Sequence, residues 1–161
     1  MAITIMRPIE VCRLRVGDLD LKEKIIKFKA KNSPLKTKII PEILYKQLPD
    51  LSNKDKNLFL FTPKEIGGEW DANESNRRGY FSVLFDTKIR KPFQLPSEYT
   101  LYGFRHTYIS KVYRNLRKTT PPYEAKSDLM FITGHKSMKA LESYLRSIDA
   151  ELPEDYSKHI V

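Results

Sequence analysis

Apolar and polar residues alternate strictly near the start of the chain, and this alternation predicts a half-buried β-strand over residues 23–30. The apolar face is made by Ile26, Phe28 and Ala30, and the basic face is made by Lys27, Lys29 and Lys31. Residues 32–35 predict a turn, and residues 37–40 predict the partner strand of a β-hairpin. The pattern therefore indicates a small antiparallel sheet with a lysine-rich rim.

Helices are predicted where apolar residues recur at intervals of three or four positions. The predicted helices cover residues 8–15, a segment opened by Pro41, and residues 73–89, 101–117, 123–132 and 138–146. A short strand is predicted over residues 58–61. The polar, glycine-containing stretch that follows it, residues 62–71, predicts a surface loop.

Two of these helices have an apolar face that is expected to pack inward. In the helix over residues 73–89 that face consists of Tyr80, Phe81, Leu84 and Phe85. In the helix over residues 101–117 it consists of Phe104, Tyr108 and Val112, which recur at i+4.

The composition fits one globular domain and suggests an acidic partner. The chain has 161 residues, of which 40% are hydrophobic and 30% are charged. Its net charge of +9 predicts attraction to a polyanion, and nucleic acid is the leading candidate. Charge alone is equally compatible with a basic protein whose charge only keeps it in solution.

The single cysteine and the absence of long apolar runs exclude several other classes. Cys12 has no partner for an internal disulfide, and the usual zinc-binding spacings cannot be built from it. This suits a reducing cytoplasm. No run of eighteen apolar residues occurs, so no membrane-spanning segment is predicted.

Three short motifs carry residues that suit phosphodiester chemistry. The first is Arg7-Pro-Ile-Glu10, the second is Tyr102-Gly-Phe-Arg105-His106, and the third is Gly134-His135, which Tyr144 follows nine residues later. Their order and spacing resemble those of the tyrosine recombinases, also called phage integrases. The resemblance runs from Arg7 to about residue 146.

The resemblance implies an α+β, mainly helical fold, that of the tyrosine recombinase catalytic domain with its small three-stranded antiparallel sheet. Family members usually have one or two helices before the first arginine and a core-binding domain before those. Residues 1–161 are therefore expected to be a single catalytic domain that lacks this upstream domain and the first catalytic-domain helix. Residues 147–161 are a candidate subunit-docking tail.

The resemblance also implies a role for each motif residue. Cleaving a phosphodiester without a metal requires a nucleophile, cations for the non-bridging oxygens and a proton for the leaving oxygen. Arg7 and Arg105 are the expected phosphate clamp, because guanidinium bonds two phosphate oxygens and keeps its charge. Tyr144 is the expected nucleophile. His135 is expected to bond a phosphate oxygen or to help move the tyrosyl proton.

The lysine that protonates the leaving 5′-oxygen belongs to the β-hairpin in this family. Lys31 is the first choice, and Lys36 remains a rival because the hairpin connection is longer than the common pattern. Other basic residues of the hairpin are expected to contact DNA: Lys27, Lys29, Lys36 and Lys38. No metal or cofactor is expected.

Three further residues next to the motifs have expected supporting roles. Glu10 matches the family's acidic residue and is expected to orient catalytic groups. Tyr102 stands where many members have histidine, and a phenol with a pKa of ~10 does not shuttle protons near pH 7. His106 directly follows Arg105, so it is expected to point elsewhere and to be structural.

The spacing of His135 and Tyr144 requires a turn between them. At 100° per residue, nine residues would place the two side chains on opposite faces of one helix. Gly134 and the cap-like Ser137 supply such a turn. His135 is therefore predicted to lie in the loop before the helix that carries Tyr144.

The implied function is site-specific recombination, in which DNA is cut and rejoined through a 3′-phosphotyrosyl intermediate without metal or ATP. The partner is double-stranded DNA, on which the full-length protein is expected to form a tetramer, whereas this chain alone is expected to be a monomer. A bacterial or phage-encoded cytoplasmic protein is expected. Two alternatives stay open: a type IB topoisomerase-like strand transferase, and a non-catalytic DNA-binding remnant of an integrase.

Overall fold

A computed structural model describes residues 4–29, 35–150, 157 and 160. The helices are α1 (Pro8–Val11), α2 (Glu42–Tyr45), α3 (Glu74–Phe85), α4 (Gly103–Leu116), α5 (Pro122–Thr133) and α6 (Met138–Ser147). The strands are β1 (Leu19–Asp20), β2 (Ile25–Lys29), β3 (Leu35–Ile39), β4 (Phe59–Phe61) and β5 (Ile66–Gly68). The fold is α+β and mainly helical, as expected.

The chain divides into two compact units, Met1–Arg105 and His106–Val161. The first unit contains every strand named above together with α1, α2 and α3. The second contains α5, α6 and most of α4, because the boundary falls inside α4. Within the described ranges, no helix is long and apolar enough to cross a membrane.

The larger sheet of the first unit is antiparallel with strand order β1-β2-β3. Ile26 lies opposite Lys38, and Phe28 lies opposite Lys36. Ile26 and Phe28 are buried while Lys27 on the same strand is exposed, so the predicted alternation is confirmed. Residues 30–34, which include Ala30, Lys31 and most of the predicted turn, lie outside the described residues.

The hydrophobic core of the first unit is assembled from segments far apart in sequence. Its buried members are Met6, Leu14, Val16, Ile26, Phe28, Ile40, Leu51 and Leu60. The sheet supplies Ile26 and Phe28, and the chain around α1 supplies Met6 and Leu14. This core fixes the segment that precedes α1 against the sheet, which matters because that segment leads into Arg7.

Helix α1 is shorter than the predicted helix over residues 8–15, because the chain leaves it to pair with β4. The Val16 amide donates to the Leu58 carbonyl at 2.9 Å, and the Leu60 amide donates to the Leu14 carbonyl at 2.8 Å. Arg15 forms an isolated antiparallel bridge with Phe59. These bonds require extended backbone, so the helix cannot continue through residues 14–16.

The predicted surface loop over residues 62–71 is wrong in part, since it contains β5. This strand pairs with β4 in a second, two-stranded antiparallel sheet. A turn held by Thr62 connects the strands: its hydroxyl accepts from the Glu65 amide at 3.1 Å and donates to the Glu65 carbonyl at 2.8 Å. Two of the three residues in β5 are glycines, so hydrophobic alternation gave no signal for it.

Helix α3 begins as predicted, with the Asn73 side chain accepting from the Asn76 amide at 2.9 Å. It continues as a π-helical turn over Asp86–Arg90, so the predicted end near residue 89 agrees with the structure. Phe85 is buried, as expected. Tyr80 and Leu84 are exposed, and the expectation that they pack inward is wrong.

Helix α4 buries a different row of residues from the one predicted. Arg105, Ile109 and Tyr113 are buried, whereas Phe104 is 37% exposed. The two rows are adjacent on the helix, since their members differ by one position or 100°. The hydrophobic pattern favoured the row without an arginine as the buried row. In the structure the row that contains Arg105 is buried instead.

The second unit contains a small helical core and a tight turn. Buried residues come from three helices: Ile109 and Tyr113 from α4, Ala125 and Leu129 from α5, and Leu141 and Leu145 from α6. Gly134 ends α5 with a left-handed φ of 73°, and Ser137 caps α6 by accepting from the Ala140 amide at 3.3 Å. The predicted turn before Tyr144 is confirmed.

We expect two glycine substitutions to change stability in opposite directions. Gly134→Ala should cost about 1–2 kcal/mol, because alanine is strained at the left-handed φ. Gly79→Ala is the matched control, since a Cβ there meets nothing within 4 Å in the interior of α3. It should stabilise by about 0.5–1 kcal/mol. Urea unfolding measures both, and a neutral Gly134→Ala would contradict the assigned turn.

Candidate active site

Two hydrogen bonds that Arg7 donates to Glu10 hold the first motif in place. Arg7 is the residue before α1, and Pro8 suits the first helical position because it has no amide proton to satisfy. The Arg7 backbone amide donates to Glu10 Oε2 at 2.8 Å, and Nη1 donates to Oε1 at 3.2 Å. Glu10 is buried while the Arg7 side chain is 48% exposed. The buried carboxylate thus holds an accessible guanidinium.

Helix α3 holds α1 in position through charged and polar contacts. Arg13, just after α1, donates from Nε and Nη2 to the carboxylate of Glu74 at the start of α3. Arg77 of α3 donates from Nε to the Cys12 carbonyl at 3.3 Å. A two-point arginine–carboxylate pair fixes direction as well as distance. The position of Arg7 is therefore tied to a longer helix and does not depend on the four-residue α1 alone.

Arg105 lies in the first turn of α4 and is 2% exposed. Its Nη1 donates to the carbonyl of Ile5. Ile5 has a φ of 55°, which is costly for a β-branched residue and requires support from its surroundings. The contact therefore joins a buried cation to a strained turn two residues before Arg7.

Lys38 on β3 is the second cation bound to this turn. Its Nζ donates to the Thr4 carbonyl at 3.2 Å. The pKa of Lys38 is lowered to about 8, mainly by burial; the charges of Arg105, Lys36 and Arg7 act in the same direction, and the charge of Glu10 opposes them. Lys38 was predicted to be a DNA contact, and the structure places it half-buried in the cluster formed by Arg7, Glu10 and Arg105.

The other hairpin lysines differ in their surroundings. Lys27 and Lys29 are exposed on β2, and Lys27 Nζ lies 3.5 Å from Asp20 Oδ2. Lys36 on β3 is half-buried. Lys31, the predicted general acid, lies outside the described residues.

A cleft of about 290 Å³ in the first unit has Arg7 and Tyr102 in its lining. Arg78, Ser82 and Thr100 add polar groups to the same lining. Tyr102 and the first arginine therefore line the same cleft. Arg78 is a cation that the motif analysis missed, because nothing distinguishes it in sequence from other exposed helical arginines.

Tyr144 on α6 contacts two histidines within the second unit. Its hydroxyl oxygen lies 2.7 Å from Nδ1 of His106, and the two rings stack with centroids 5.5 Å apart. The His135 ring centroid lies 5.1 Å from that of Tyr144, with the planes tilted by 42°. The structure thus brings the predicted nucleophile and the predicted histidine together.

His106 was expected to point away from Arg105 and to be structural, and the structure places its side chain in contact with Tyr144. Adjacent residues on a helix point in directions about 100° apart, so His106 does diverge from Arg105. This divergence separates the two side chains, but it does not determine whether His106 reaches a residue of α6. The side chain of His106 reaches Tyr144, and no sequence pattern linked α4 to α6 at these positions.

The contacts of His135 determine which of its nitrogens carries a proton. Nδ1 lies 2.6 Å from Thr133 Oγ1, and that hydroxyl donates to the Leu129 carbonyl at 2.8 Å. A hydroxyl has one proton, so Thr133 accepts from His135 Nδ1. In the neutral ring, Nε2 is therefore the acceptor. The contact with Thr133 favours the tautomer of the neutral ring in which Nδ1 carries the proton.

The candidate groups fall into the two compact units. Arg7, Glu10, Arg105 and Lys38 belong to the first, with Tyr102 lining its cleft. His106, His135 and Tyr144 belong to the second. Among the described residues, no three His, Cys, Asp or Glu side chains are grouped so that they could hold a metal ion. The first unit supplies cations, and the second supplies two imidazoles and a phenol.

Solved structures with a similar fold include recombinases. The XerA recombinase matches with a TM-score of 0.61 and 20% identity over 98% of this chain and 51% of its own. The Tn1549 transposon integrase in complex with a circular intermediate DNA matches with a TM-score of 0.61 and 14% identity. The structure of the same integrase in complex with transposon right end DNA matches with a TM-score of 0.61 and 16% identity. Both integrase matches cover 98% of this chain and 53% of theirs.

These matches define the fold as that of a tyrosine recombinase catalytic domain. The chain spans about half the length of the structures it matches. No protein-family model matches the sequence, and no curated protein matches it significantly. At these identities the likeness concerns the fold alone.

We expect Lys38→Met to stabilise the chain in a pH-dependent way. Between pH 8 and 10.5 the unfolded chain binds more protons at this residue than the folded one, so wild-type stability rises with pH there. The variant should be more stable at pH 7 by up to about 3 kcal/mol, with the gain declining above pH 8 and lost near pH 10.5.

Urea unfolding of both proteins across this pH range measures the gain. Lys29→Met is the matched control, since Lys29 is exposed on the neighbouring strand and should show little difference at any pH. A gain for Lys38→Met that stays constant between pH 7 and pH 10.5 would show that the lowered pKa is not its cause.

Proposed function

We propose that this chain is the catalytic part of a site-specific DNA recombinase, or integrase, that cuts and rejoins DNA through a 3′-phosphotyrosyl intermediate. The observation that carries the proposal is the Tyr144 hydroxyl, 2.7 Å from an imidazole nitrogen, within a recombinase fold. A phenol hydrogen-bonded to a base is an activated nucleophile. The reaction needs no metal, cofactor or ATP, because the phosphotyrosyl bond conserves the energy of the broken bond.

Arg7 and Arg105 bind the non-bridging oxygens of the phosphate in this proposal. The exposed guanidinium of Arg7, held by Glu10, is the more accessible of the two. Arg105 is held by a backbone carbonyl and retains its charge when buried. Donors fixed before the reaction stabilise developing charge without reorganising, and each is worth on the order of 10²–10³ in rate.

A hairpin lysine protonates the leaving 5′-oxygen. Lys31 is the proposed acid, and Lys36 is its rival. The lowered pKa of Lys38, about 8, supports Lys38 as a further candidate, since an acid with a pKa near the working pH gives up its proton more readily. The exposed Lys27 and Lys29 contact the DNA backbone.

The proposed partner is double-stranded DNA. The net charge of +9 favours a polyanion, and the similar Tn1549 integrase structures are complexes with DNA. The cleft lined by Arg7, Arg78 and Tyr102 offers two guanidinium groups to a phosphate. The full-length protein acts as a tetramer on DNA, residues 147–161 dock onto a neighbouring subunit, and this chain alone is a monomer. It acts in the cytoplasm of a bacterium.

One observation favours a second candidate, a non-catalytic DNA-binding remnant of an integrase. Tyr102 occupies a position where the family commonly has histidine, so one proton-transfer group has been replaced. Both candidates bind DNA with an affinity that falls as salt rises. Only the enzyme forms a covalent bond to DNA.

We expect the wild-type chain to form a covalent adduct with DNA, and Tyr144→Phe to form none. The substrate is a pool of duplexes of randomised sequence, each nicked so that the 5′ product diffuses away and the adduct accumulates. Randomisation removes the need to know the target site. Adducts are counted by denaturing gel electrophoresis at low salt, where backbone contacts are strongest.

Tyr123→Phe is the matched control for this assay. Tyr123 is 76% exposed on α5 in the same unit, so it tests whether any accessible tyrosine can be labelled. It should give the wild-type yield. If the wild type binds DNA in a salt-sensitive way but forms no adduct, the result would contradict the proposal of a recombinase and favour the non-catalytic DNA-binding remnant.

The general acid can be identified by changing the leaving group. We expect alanine at Lys31 to slow adduct formation by about 10²-fold or more with ordinary DNA. A substrate with sulfur in place of the bridging 5′-oxygen should restore the rate, because a thiolate with a pKa of ~8.5 leaves without a proton. Lys36→Ala and Lys38→Ala give the matched comparison. If the sulfur-containing substrate restores the rate of none of the three variants, none of these hairpin lysines is the general acid.

A further inference from the structure

We propose that His106 is the base that accepts the Tyr144 proton when the hydroxyl oxygen attacks phosphorus. This inference rests on the proposed function. The motif analysis gave His106 a structural role, whereas its Nδ1 lies 2.7 Å from the reacting oxygen. That distance is typical of a hydrogen bond in which one oxygen and one nitrogen share a proton. A group this close to the reacting atom needs no movement to receive the proton.

The helices that carry the two side chains are held by buried neighbours. Leu141 and Leu145, on either side of Tyr144 in α6, are both 0% exposed. Ile109, three residues after His106 in α4, is also 0% exposed. The two rings stack with planes only 28° apart. Packing therefore determines the position of both rings before any substrate binds, as a proton-transfer pair requires.

His135 is less suited to this step in its observed arrangement. Its Nδ1 donates to Thr133 Oγ1, so that nitrogen already carries a proton and cannot take another. Nε2 is the nitrogen that can take up a further proton, and once protonated it can donate to a phosphate oxygen, which is the contact assigned to His135. The two histidines then divide the work, with His106 serving the nucleophile and His135 serving the phosphate.

The attack by Tyr144 at neutral pH needs a group that accepts the tyrosyl proton. A tyrosine with an ordinary pKa of ~10 is ionised in about one molecule in a thousand at pH 7. Tyr102 stands at a motif position where a histidine is usual, and a phenol there cannot accept a proton near neutral pH. An ordinary imidazole, with a pKa of ~6.5, is mostly neutral at pH 7 and can accept it.

The proton balance of the step is complete. The O–H bond of Tyr144 breaks as its oxygen bonds to phosphorus, and the proton passes to His106 Nδ1, leaving an imidazolium. The bond from phosphorus to the 5′-oxygen breaks with its electron pair on oxygen, which takes a proton from the hairpin lysine. Rejoining reverses each transfer, so His106 returns the proton to Tyr144.

The charged and titratable groups near His106 include residues of α4, α6 and the turn before α6. Tyr144 faces His106 from α6, His135 contacts the ring of Tyr144, and Arg105 precedes His106 on α4. The arginine keeps its charge throughout the accessible range. The titration of the hairpin lysine affects the wild type and His106→Asn alike, so the ratio of their rates reports on the two imidazoles and the phenol.

We expect His106→Asn to slow adduct formation by about 10²-fold at pH 7. Asparagine can still hydrogen-bond near the position of Nδ1, but it cannot take up a proton. The deficit should shrink as the pH rises towards ~10, because tyrosine then ionises without a base. Asn115→Ala, at an exposed position near the end of α4, is the matched control and should keep the wild-type rate.

A purely structural role predicts a different pH profile. Loss of packing would reduce the rate by a similar factor at every pH, and such a profile would overturn the proposal. A wild-type rate for His106→Asn at every pH would overturn it as well. Circular dichroism of both variants checks that the fold is intact.

A second measurement needs no DNA and separates this inference from the proposed function. Nitrogen NMR of the histidines in the full chain at pH 8 should show His106 with Nδ1 unprotonated and accepting a hydrogen bond. Tyr144→Phe should abolish that signature. A protonated Nδ1 in the neutral wild-type ring would mean that Tyr144 accepts the bond, and would overturn the proposal.

The two experiments together distinguish the possible failures. If the wild type forms no adduct, the proposed function fails and the inference fails with it, even if NMR shows the bond to Tyr144. If the adduct forms and His106→Asn matches the wild type, only the inference fails. The inference stands if the adduct forms, the deficit depends on pH and NMR shows Nδ1 as acceptor.

Discussion

The burial of one face of helix α4 is the constraint on which the candidate site depends. Arg105 is 2% exposed and gives a hydrogen bond to the Ile5 carbonyl, so a permanent cation is held inside the first unit. Its neighbour His106, rotated by about 100° on the same helix, reaches Tyr144 of α6. One helix therefore carries a buried cation of the first unit and, at the next position, the histidine that contacts Tyr144 within the second unit.

The cations of the first unit repel one another, and a bound anion would reduce that repulsion. Arg7, Lys38 and Arg105 lie in one cluster with Glu10 as the opposing charge, and the lowered pKa of Lys38 is a direct sign of crowding and burial. The strained turn at Ile5 and the adjacent Thr4 carbonyl stabilise two of these cations. Such clusters of like charge and strain occur at functional sites, where a bound phosphate would relieve the repulsion.

Elements with strong periodicity or a clear capping residue were predictable from the sequence. The β2–β3 hairpin, the cap at Asn73 and the Gly134–Ser137 turn agree with their patterns, because each depends on contacts between residues close in sequence. Strand β5 and the end of α1 could not be foreseen, since both are determined by pairing with β4. The buried row of α4 was missed because an arginine is not expected inside.

Motif order proposed Arg7, Arg105, His135 and Tyr144 as site residues, and their catalytic roles stay predictions. The structure brings the rings of the last two into contact. The contact of His106 with Tyr144 joins residues 38 positions apart, and the burial of Lys38 depends on the folded turn at Thr4. Local patterns carry no information about either. The position of Lys31 relative to the other groups remains a prediction.

The most direct test of the account is to identify the residue that carries DNA after reaction with a nicked duplex. Trypsin digestion should release residues 140–146 as one peptide, and mass spectrometry should find it linked to a 3′-phosphate through Tyr144. That result would establish the nucleophile and the class of reaction together. DNA attached to a peptide that lacks Tyr144, or to no peptide although the protein binds DNA, would contradict the account.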